Sequence, residues 1–436
     1  MYRQIIRQTV SGRQWRRRLV FWVGAVATGA IAVVFALASD IVMQLFDRAR
    51  AVMPWWPYLA APVCLALAAW LTRSMFSGAE GSGIPQSIAA LTMPTEDERN
   101  RVLSIRIVTG KVFVTLLALA GGASIGREGP TVQVGASIMH SLRRFARFHV
   151  TDIDRGLILA GGAAGVAAAF NTPLAGVVFA IEELSRSFEE RTSGTIITAV
   201  IVAGVTSLAL VGNYTYFGST AAVMETPRMW LAIPICALAG GLGGGLFSAA
   251  VIQFNRKLPG RFEWLRSEHP VLFAACCGLA IAALGWLSSG TTFGTGYNEA
   301  KALLQQGATP AEGFALCKAL ATLVSYLSGV PGGIFAPTLA VGAGLGAHLH
   351  SWFAFVPSGV MVLLCMAGYF AGVTQAPLTT LVIVTEMTDN RGLVLPLMAV
   401  ALLGRAVSAL VCRHPLYQSL AEDFAASSER SDEAKT

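Results

Sequence analysis

Three glycine segments in this chain end in proline and carry a polar or aromatic residue beside it. GSGIP comprises Gly81, Ser82, Gly83, Ile84 and Pro85. GREGP comprises Gly126, Arg127, Glu128, Gly129 and Pro130. GGIFAP runs from Gly332 and Gly333 through Ile334, Phe335 and Ala336 to Pro337. Each leads into a helical apolar pattern. Proline suits the first turn of a helix, where its missing N–H would be unsatisfied anyway, and glycine lets the backbone come close to a ligand. The N–H groups of a helix start, with the positive end of its dipole, bind anions without a full positive charge. Ser82 adds a hydroxyl donor, and Tyr417, in HPLYQSL, a phenol donor. Ile334 and Phe335 add backbone N–H groups and an apolar wall. Taken singly, GSGIP and GGIFAP read as turns before helices and Tyr417 as an interfacial aromatic; together they describe an anion site.

Two carboxylates fit proton chemistry beside such a site. Glu128 stands at a glycine turn before a helix, and Glu183 ends an apolar run in AIEEL, next to Glu182. An ionisable side chain in a membrane span costs at least about 2.5 kcal/mol, so its presence there asks for a function. Desolvation favours the neutral, protonated form. Glu182 and Glu183 also have a plainer reading as interfacial helix caps. Arg127 is read as an orienting or interfacial charge with no transport role.

The elements that must position these residues are membrane helices. Of the 436 residues, 13% are charged and 54% hydrophobic, with 45 glycines besides. That is about half the charge usual for a soluble domain, and the chain reads as an all-α, multi-span membrane protein. Leu19 to Ser39 is a run of 21 uncharged residues preceded by Arg13, Arg16, Arg17 and Arg18. The positive-inside rule places the N-terminus in the cytoplasm. Arg48 and Arg50, beyond the first span, are read as balanced by Asp40 and Asp47. The net charge of +7 belongs to ends and loops and needs no nucleic acid. Residues 1–18 read as a basic, amphipathic cytoplasmic segment, 19–420 as the membrane domain, and 421–436 as a polar, disordered cytoplasmic tail with no appended soluble domain. The seven cysteines lie in or beside apolar runs without a CxxC pair and read as packing residues. His348 and His350 point apart on a helix, so no metal site is expected.

Several apolar runs are short and broken by glycine or proline. Ala319 to Thr385, 67 residues without Asp, Glu, Lys or Arg, contains VPGGIFAP and TQAPL. Broken helices at membrane depth survive only where they line a protein-enclosed cavity. The chain also repeats itself, with pseudo-repeats at about 19–217 and 225–420. GSGIPQSIAAL and GTGYNEAKALL start at Gly81 and Gly294 (294 − 81 = 213). Pro130 matches Pro337 (207), and Pro173 of TPLAGVVFAIEE matches Pro377 of APLTTLVIVTEM (204). Tandem halves place a transport site where they meet. The pairing sets Glu128 against Phe335, Glu182 against Glu386 and Glu183 against Met387. Glu182 and Glu386 therefore read as a structural pair, and the two functional acids are the unmatched ones.

With these motifs in hand, the sequence from about 19 to 420 resembles the CLC chloride channels and proton/chloride antiporters. The likeness rests on GSGIP, GREGP, GGIFAP, FNTPLAGVVFAIEE, EMTDN at 386–390 and the late PLY. It implies a fold of inverted repeats built from tilted, often broken helices, and a homodimer with one pore per subunit. It implies a central chloride held by Ser82, Ile334, Phe335 and Tyr417, an external gate at Glu128 and an inner proton relay at Glu183. Family channels usually lack an acid at that inner position, so the resemblance favours an exchanger. Serine in GSGIP favours chloride, since nitrate-selective relatives have proline there. Thr172 in the N-x-P segment departs from the pattern. The cytoplasmic regulatory domains of many relatives are not expected, which suits a bacterial inner-membrane protein with both termini cytoplasmic.

The reading is thus a non-enzymatic exchanger of chloride for protons, with the bilayer, chloride and protons as its partners and no cofactor. A passive chloride channel of the same fold is the alternative; a fluoride exporter is disfavoured by Ser82. An intramembrane hydrolase using Ser82 would need a base within hydrogen-bond reach, and no histidine lies in GSGIP, GREGP or GGIFAP.

Overall fold

The computed structural model describes residues 12–146, 151–185, 190–212 and 214–433. The first half comprises α1 (Gly12–Val52), α2 (Trp56–Ser74), α3 (Ile84–Thr92), α4 (Glu96–Val102), α5 (Ile105–Ala120), α6 (Glu128–Ala146), α7 (Thr151–Phe170), α8 (Pro173–Phe179) and α9 (Glu190–Val211). Helix α8 runs on into a π-helical turn, Ala180–Ser185. A 3-10 turn, Pro227–Leu231, opens the second half. There follow α10 (Ala232–Arg256), α11 (Arg261–Glu268), α12 (Pro270–Leu287), α13 (Tyr297–Gln305), α14 (Phe314–Leu327), α15 (Phe335–Trp352), α16 (Ser358–Thr374), α17 (Pro377–Thr388), α18 (Val394–Val411) and α19 (Leu416–Glu433).

Among the described residues, six helical segments are long and apolar enough to cross a membrane, while α14, α16 and α17 are shorter apolar helices. The chain is an integral, multi-pass membrane protein. Helix α16 is hydrophobic all round and buried from Val360 to Thr374, as expected of a helix enclosed by others. Small residues bring the main chains together there and elsewhere. A Cβ on Gly135 of α6 would overlap the Gly161 carbonyl of α7, and one on Gly244 would lie 2.6 Å from the Tyr369 carbonyl oxygen of α16.

The two halves correspond helix by helix. Helix α3 begins 213 residues before α13 (297 − 84), α6 begins 207 before α15 (335 − 128), and α8 begins 204 before α17 (377 − 173). Helix α6 packs on α7 as α15 packs on α16, and α1 on α9 as α10 on α18. Across the halves, α2 packs against its own counterpart α12 and α8 against α17. An element that touches its own counterpart is what an internal two-fold relation produces. Gly126 and Gly333 form an antiparallel bridge, each N–H donating to the other's carbonyl at 2.6 and 2.8 Å. The repeat is inverted.

Glu182 and Glu386 carry the same symmetry. The Glu182 carboxylate accepts from the Leu378 and Thr379 N–H groups at the start of α17 (3.1 and 2.6 Å). Glu386 accepts from Leu174 and Ala175 at the start of α8 (3.2 and 2.7 Å). Each fills the orphan donors of the other half's broken helix.

Three expectations change. Residues 421–433, read as disordered, belong to helix α19. Its apolar residues at Leu416, Leu420, Ala421 and Phe424 share one face against the core, and Asp423 pairs with Arg256 at 2.9 Å. Asp40 does not balance the arginines beyond the first span. It pairs with Arg127 at 2.6 Å, leaving Asp47 to Arg50. The basic 1–18 segment lies outside the described residues as far as residue 11, and from Gly12 it is the start of α1; residues 434–436 of the tail lie outside as well. The cysteines are free, and His348 and His350 each face a backbone carbonyl at 2.9 Å.

Candidate anion site

Four helix starts converge near the middle of the molecule: α3 at Ile84, α6 at Glu128, α15 at Phe335 and α19 at Leu416. Helix α6 touches both α3 and α15, and α3 lies on α19. The glycine segments make this approach possible. Gly83 has φ +94°, and a Cβ there would lie 2.9 Å from the Gly129 carbonyl oxygen. Its N–H donates to Gln86 Oε1 at 3.0 Å. The Gly81 carbonyl accepts from the Gly332 N–H at 3.0 Å. A Cβ on Gly129 would stand 2.6 Å from Ser82 Oγ, and one on Gly333 3.0 Å from Pro130 Cδ. GSGIP, GREGP and GGIFAP are therefore in mutual contact, although they are far apart in sequence.

Buried lysines hold these segments. Lys111 Nζ donates to the carbonyls of Ala79, Glu80 and Gly81 at 2.8, 3.2 and 2.8 Å. Lys318 Nζ does the same for Thr292 and Gly294 at 2.9 and 2.7 Å. Both are fully buried, so these bonds are what makes their charge tolerable. The sequence reading missed them. The signal was present, since 318 − 111 = 207, the offset that pairs Pro130 with Pro337.

Ser82 Oγ and Tyr417 Oη are buried and have no hydrogen-bond partner, and the two hydroxyls face one another. Ile334 and Phe335 are buried at the start of α15, where the first N–H groups of a helix have no intrahelical acceptor. The Phe335 ring packs against Tyr417, Phe370, Phe179 and Phe170, with centroids 4.9 to 6.1 Å apart. Ile84, Pro85 and Pro337 are buried beside them. The result is an apolar, aromatic wall beside donors that lack acceptors, the complement of a partly dehydrated anion.

Glu128 is fully buried at the mouth of this arrangement. Its Oε1 accepts from the Tyr216 hydroxyl at 3.1 Å. Its Oε2 has no hydrogen-bond partner and lies where a Cβ on Gly126 would overlap it. The Ala336 N–H, at the start of α15, faces the same carboxylate. Arg127 turns away. Its Nη1 donates to the Ala36 carbonyl at 2.6 Å and pairs with Asp40, anchoring the GREGP loop to α1. That accounts for the charge without giving it contact with the anion site.

Glu183 lies in the π turn, which packs against α3, α7 and α17. The wider turn lets adjacent residues serve opposite ends: Glu182 caps α17, while Glu183 is buried at 4% exposure and within electrostatic range of the Tyr417 hydroxyl. Single π turns of this kind frequently mark functional positions. Its counterpart α17 has no such turn, and Met387 is wholly buried there. Thr172, the departure from the N-x-P pattern, is buried with its hydroxyl unpartnered, and nothing in the structure explains the choice.

Cavities approach the site from both ends. One of about 460 Å³ is lined by Glu80, Gly81, Gln86, Arg256, Tyr326 and Asp423. At the other end, cavities of about 220 and 270 Å³ both reach Arg127, Asp40, Tyr216 and Tyr297. Tyr216 had no sequence signal; it belongs to no motif and lies at the very end of the first repeat. Residues 122–126, GASIG, spell the G-x-S-x-G pattern of serine hydrolases. Ser124 Oγ, however, is paired with the Thr322 hydroxyl at 2.9 Å, and a turn from α5 to α6 is not the strand-to-helix context that the pattern requires.

The chain is similar to known proteins over most of its length. The family model described as voltage gated chloride channel matches residues 64–409. The H(+)/Cl(-) exchange transporter ClcA of Yersinia pseudotuberculosis is 30% identical over 425 residues, covering 91% of this chain and 85% of that one. The crystal structure of a slow cyanobacterial Cl-/H+ antiporter superposes with a TM-score of 0.80 at 26% identity, covering 94% of this chain and 97% of the other. A CLC-type fluoride/proton antiporter gives a TM-score of 0.77 at 22% identity, covering 92% and 97%, and shares the fold.

Proposed function

The chain belongs to the voltage gated chloride channel family, whose members are transporters or channels and not enzymes, and from that premise we propose that it exchanges chloride for protons across the membrane. The observation that carries this reading is the burial of a carboxylate, Glu128, at the mouth of a pocket whose remaining polar members, Ser82 and Tyr417, are donors without acceptors. Relatives of similar length that are named as chloride/proton exchangers support it.

Chloride sits between the Ser82 and Tyr417 hydroxyls and the Ile334 and Phe335 N–H groups. The Glu128 carboxylate competes with the anion for the N-termini of α6 and α15. Protonation cancels that competition, Glu128 withdraws, and chloride takes its place. The proton continues to Glu183 and then to the cytoplasm. Net coupling arises because a charged Glu128 and an anion exclude each other electrostatically.

The direction follows from α1. Its N-terminal end is the arginine-rich one, which the positive-inside rule assigns to the cytoplasm. Gly24, near that end, abuts Met139 of α6, whereas Asp40, towards the other end, binds Arg127. Glu128 therefore belongs to the outer side. Helix α8 turns back from Asn171 and returns its π turn, with Glu183, towards the inner side. The family resemblance implies a homodimer with one pore per subunit.

Reconstitution into proteoliposomes tests the assignments. Glu183→Ala is expected to abolish proton movement while chloride still passes. Glu128→Ala is expected to leave a chloride flux that no longer responds to pH. Proton coupling that survives Glu183→Ala would remove the relay from the scheme.

A further inference from the structure

Tyr216 lies at the end of the first repeat, in the strap between α9 and the 3-10 turn that leads on to the second, and that strap is tied to both halves. Asn171 Nδ2 donates to the Tyr214 carbonyl at 2.8 Å. The Phe217 and Thr220 N–H groups donate to the Met387 and Thr388 carbonyls at 2.9 and 3.0 Å. Gln305 Nε2 donates to the Phe217 carbonyl at 3.0 Å, and Tyr297 Oη to the carbonyl of Tyr216 itself at 2.8 Å. The Tyr216 ring is 2% exposed and packs edge-on against Phe170, Phe217 and Tyr297 at 5.7, 5.0 and 4.9 Å. From this fixed mount its hydroxyl donates to Glu128 Oε1. Tyr216 lines both outer cavities, whereas Glu128 lines neither.

We infer that Tyr216 is a positioning residue that latches the gate: its hydroxyl holds the charged Glu128 carboxylate in place, and its ring closes the way from the site to the outer cavities until that bond is released. The inference rests on the reading of Glu128 as the gate. A hydrogen bond to a carboxylate is about twice as strong as one between neutral groups. Proton arrival therefore cancels the charge of Glu128 and weakens its tether in one event. The strap also gives a reason for joining the repeats at this point, because the one segment shared by both halves reaches the one carboxylate that breaks their symmetry at this position.

The other titratable or charged groups around this pair are Arg127, Asp40 and Asp47 of α1, Tyr214 on the strap, Tyr297 and Glu299 of α13, and Tyr417 of α19. Tyr216→Phe keeps all of them and the aromatic contacts, and removes only the hydroxyl.

The test combines two readouts on purified protein. Infrared titration follows the carboxyl band that Glu128→Gln deletes. The hydroxyl favours the charged form, so its loss lets the proton bind at higher pH. In Tyr216→Phe the band midpoint is expected to rise by about one pH unit. In proteoliposomes the pH at which chloride flux is half-maximal is expected to rise equally, and the effect is expected to vanish in the Glu128→Ala background. An unchanged band midpoint in folded Tyr216→Phe, or a flux change that persists without Glu128, overturns the latch. Tyr297→Phe, which frees the Tyr216 carbonyl, is expected to give a smaller shift in the same direction and serves if Tyr216→Phe does not fold. The band reads the latch without transport, so a wild-type protein that failed to couple protons would count against the proposed function alone.

Discussion

Many buried hydroxyls of this chain bond a carbonyl one turn back, as Thr28, Thr72 and Thr374 do. Ser82 and Tyr417 do not; other buried hydroxyls, Thr172 among them, are also unpartnered, and what sets these two apart is that they lie together beside Phe335 at the start of α15. A hydrogen bond to a charge contributes about 1.5–3 kcal/mol. Ser82→Ala and Tyr417→Phe are therefore each expected to weaken chloride binding by about tenfold or more, read by calorimetry in detergent, with little loss of thermal stability. Unchanged chloride binding in both would mean that these hydroxyls face something else. The sequence made Glu128 conspicuous because the repeat supplies Phe335 at the matching place, so that the fold does not demand an acid there. Arg127 was opaque for the opposite reason. Its partners, Ala36 and Asp40, lie about ninety residues away, and no local pattern announces such a pair. Lys111 and Lys318 were legible at the same offset as the prolines, but lie outside the glycine motifs.

At the scale of elements, broken helices expose unsatisfied donors at membrane depth, and each half supplies the other's cap. Glu182→Gln and Glu386→Gln each replace a charged acceptor pair at a helix start. Each is expected to lower stability by about 0.5–2 kcal/mol, measured as a fall in melting temperature, with chloride–proton coupling kept in the protein that remains folded. Loss of coupling at unchanged stability would give the pair a part in transport instead. Lys111→Met is expected to be more costly than either, since it leaves three carbonyls, the Ala79 one buried and the other two part-buried, without their shared donor. The helix starts were readable from their prolines, and the broken helices from the short apolar runs. The π turn was not, because nothing in AIEEL distinguishes hydrogen bonds five residues apart from bonds four apart. Helix α19 was misread because composition spoke for a polar tail, while its apolar residues recur at helical spacing on one face.

At the scale of the molecule, the site exists only where the halves meet. The first half brings GSGIP and GREGP, and the second brings GGIFAP and the late tyrosine. The inverted relation points corresponding helix starts at one another, so both halves present positive dipole ends to the same place. The duplication was visible in three offsets, but inversion was not, since a sequence does not record the direction in which a helix crosses the bilayer. The departures from symmetry, Glu128 against Phe335 and Glu183 against Met387, are what turn a symmetric anion site into a proposed coupling device. The central claim is that coupling, and one measurement bears on it most directly. Purified wild-type protein in liposomes, given a chloride gradient and no pH gradient, is expected to drive protons uphill in the direction opposite to chloride. Chloride movement with no pH change inside the liposomes would contradict the account and leave a passive chloride channel on the same fold.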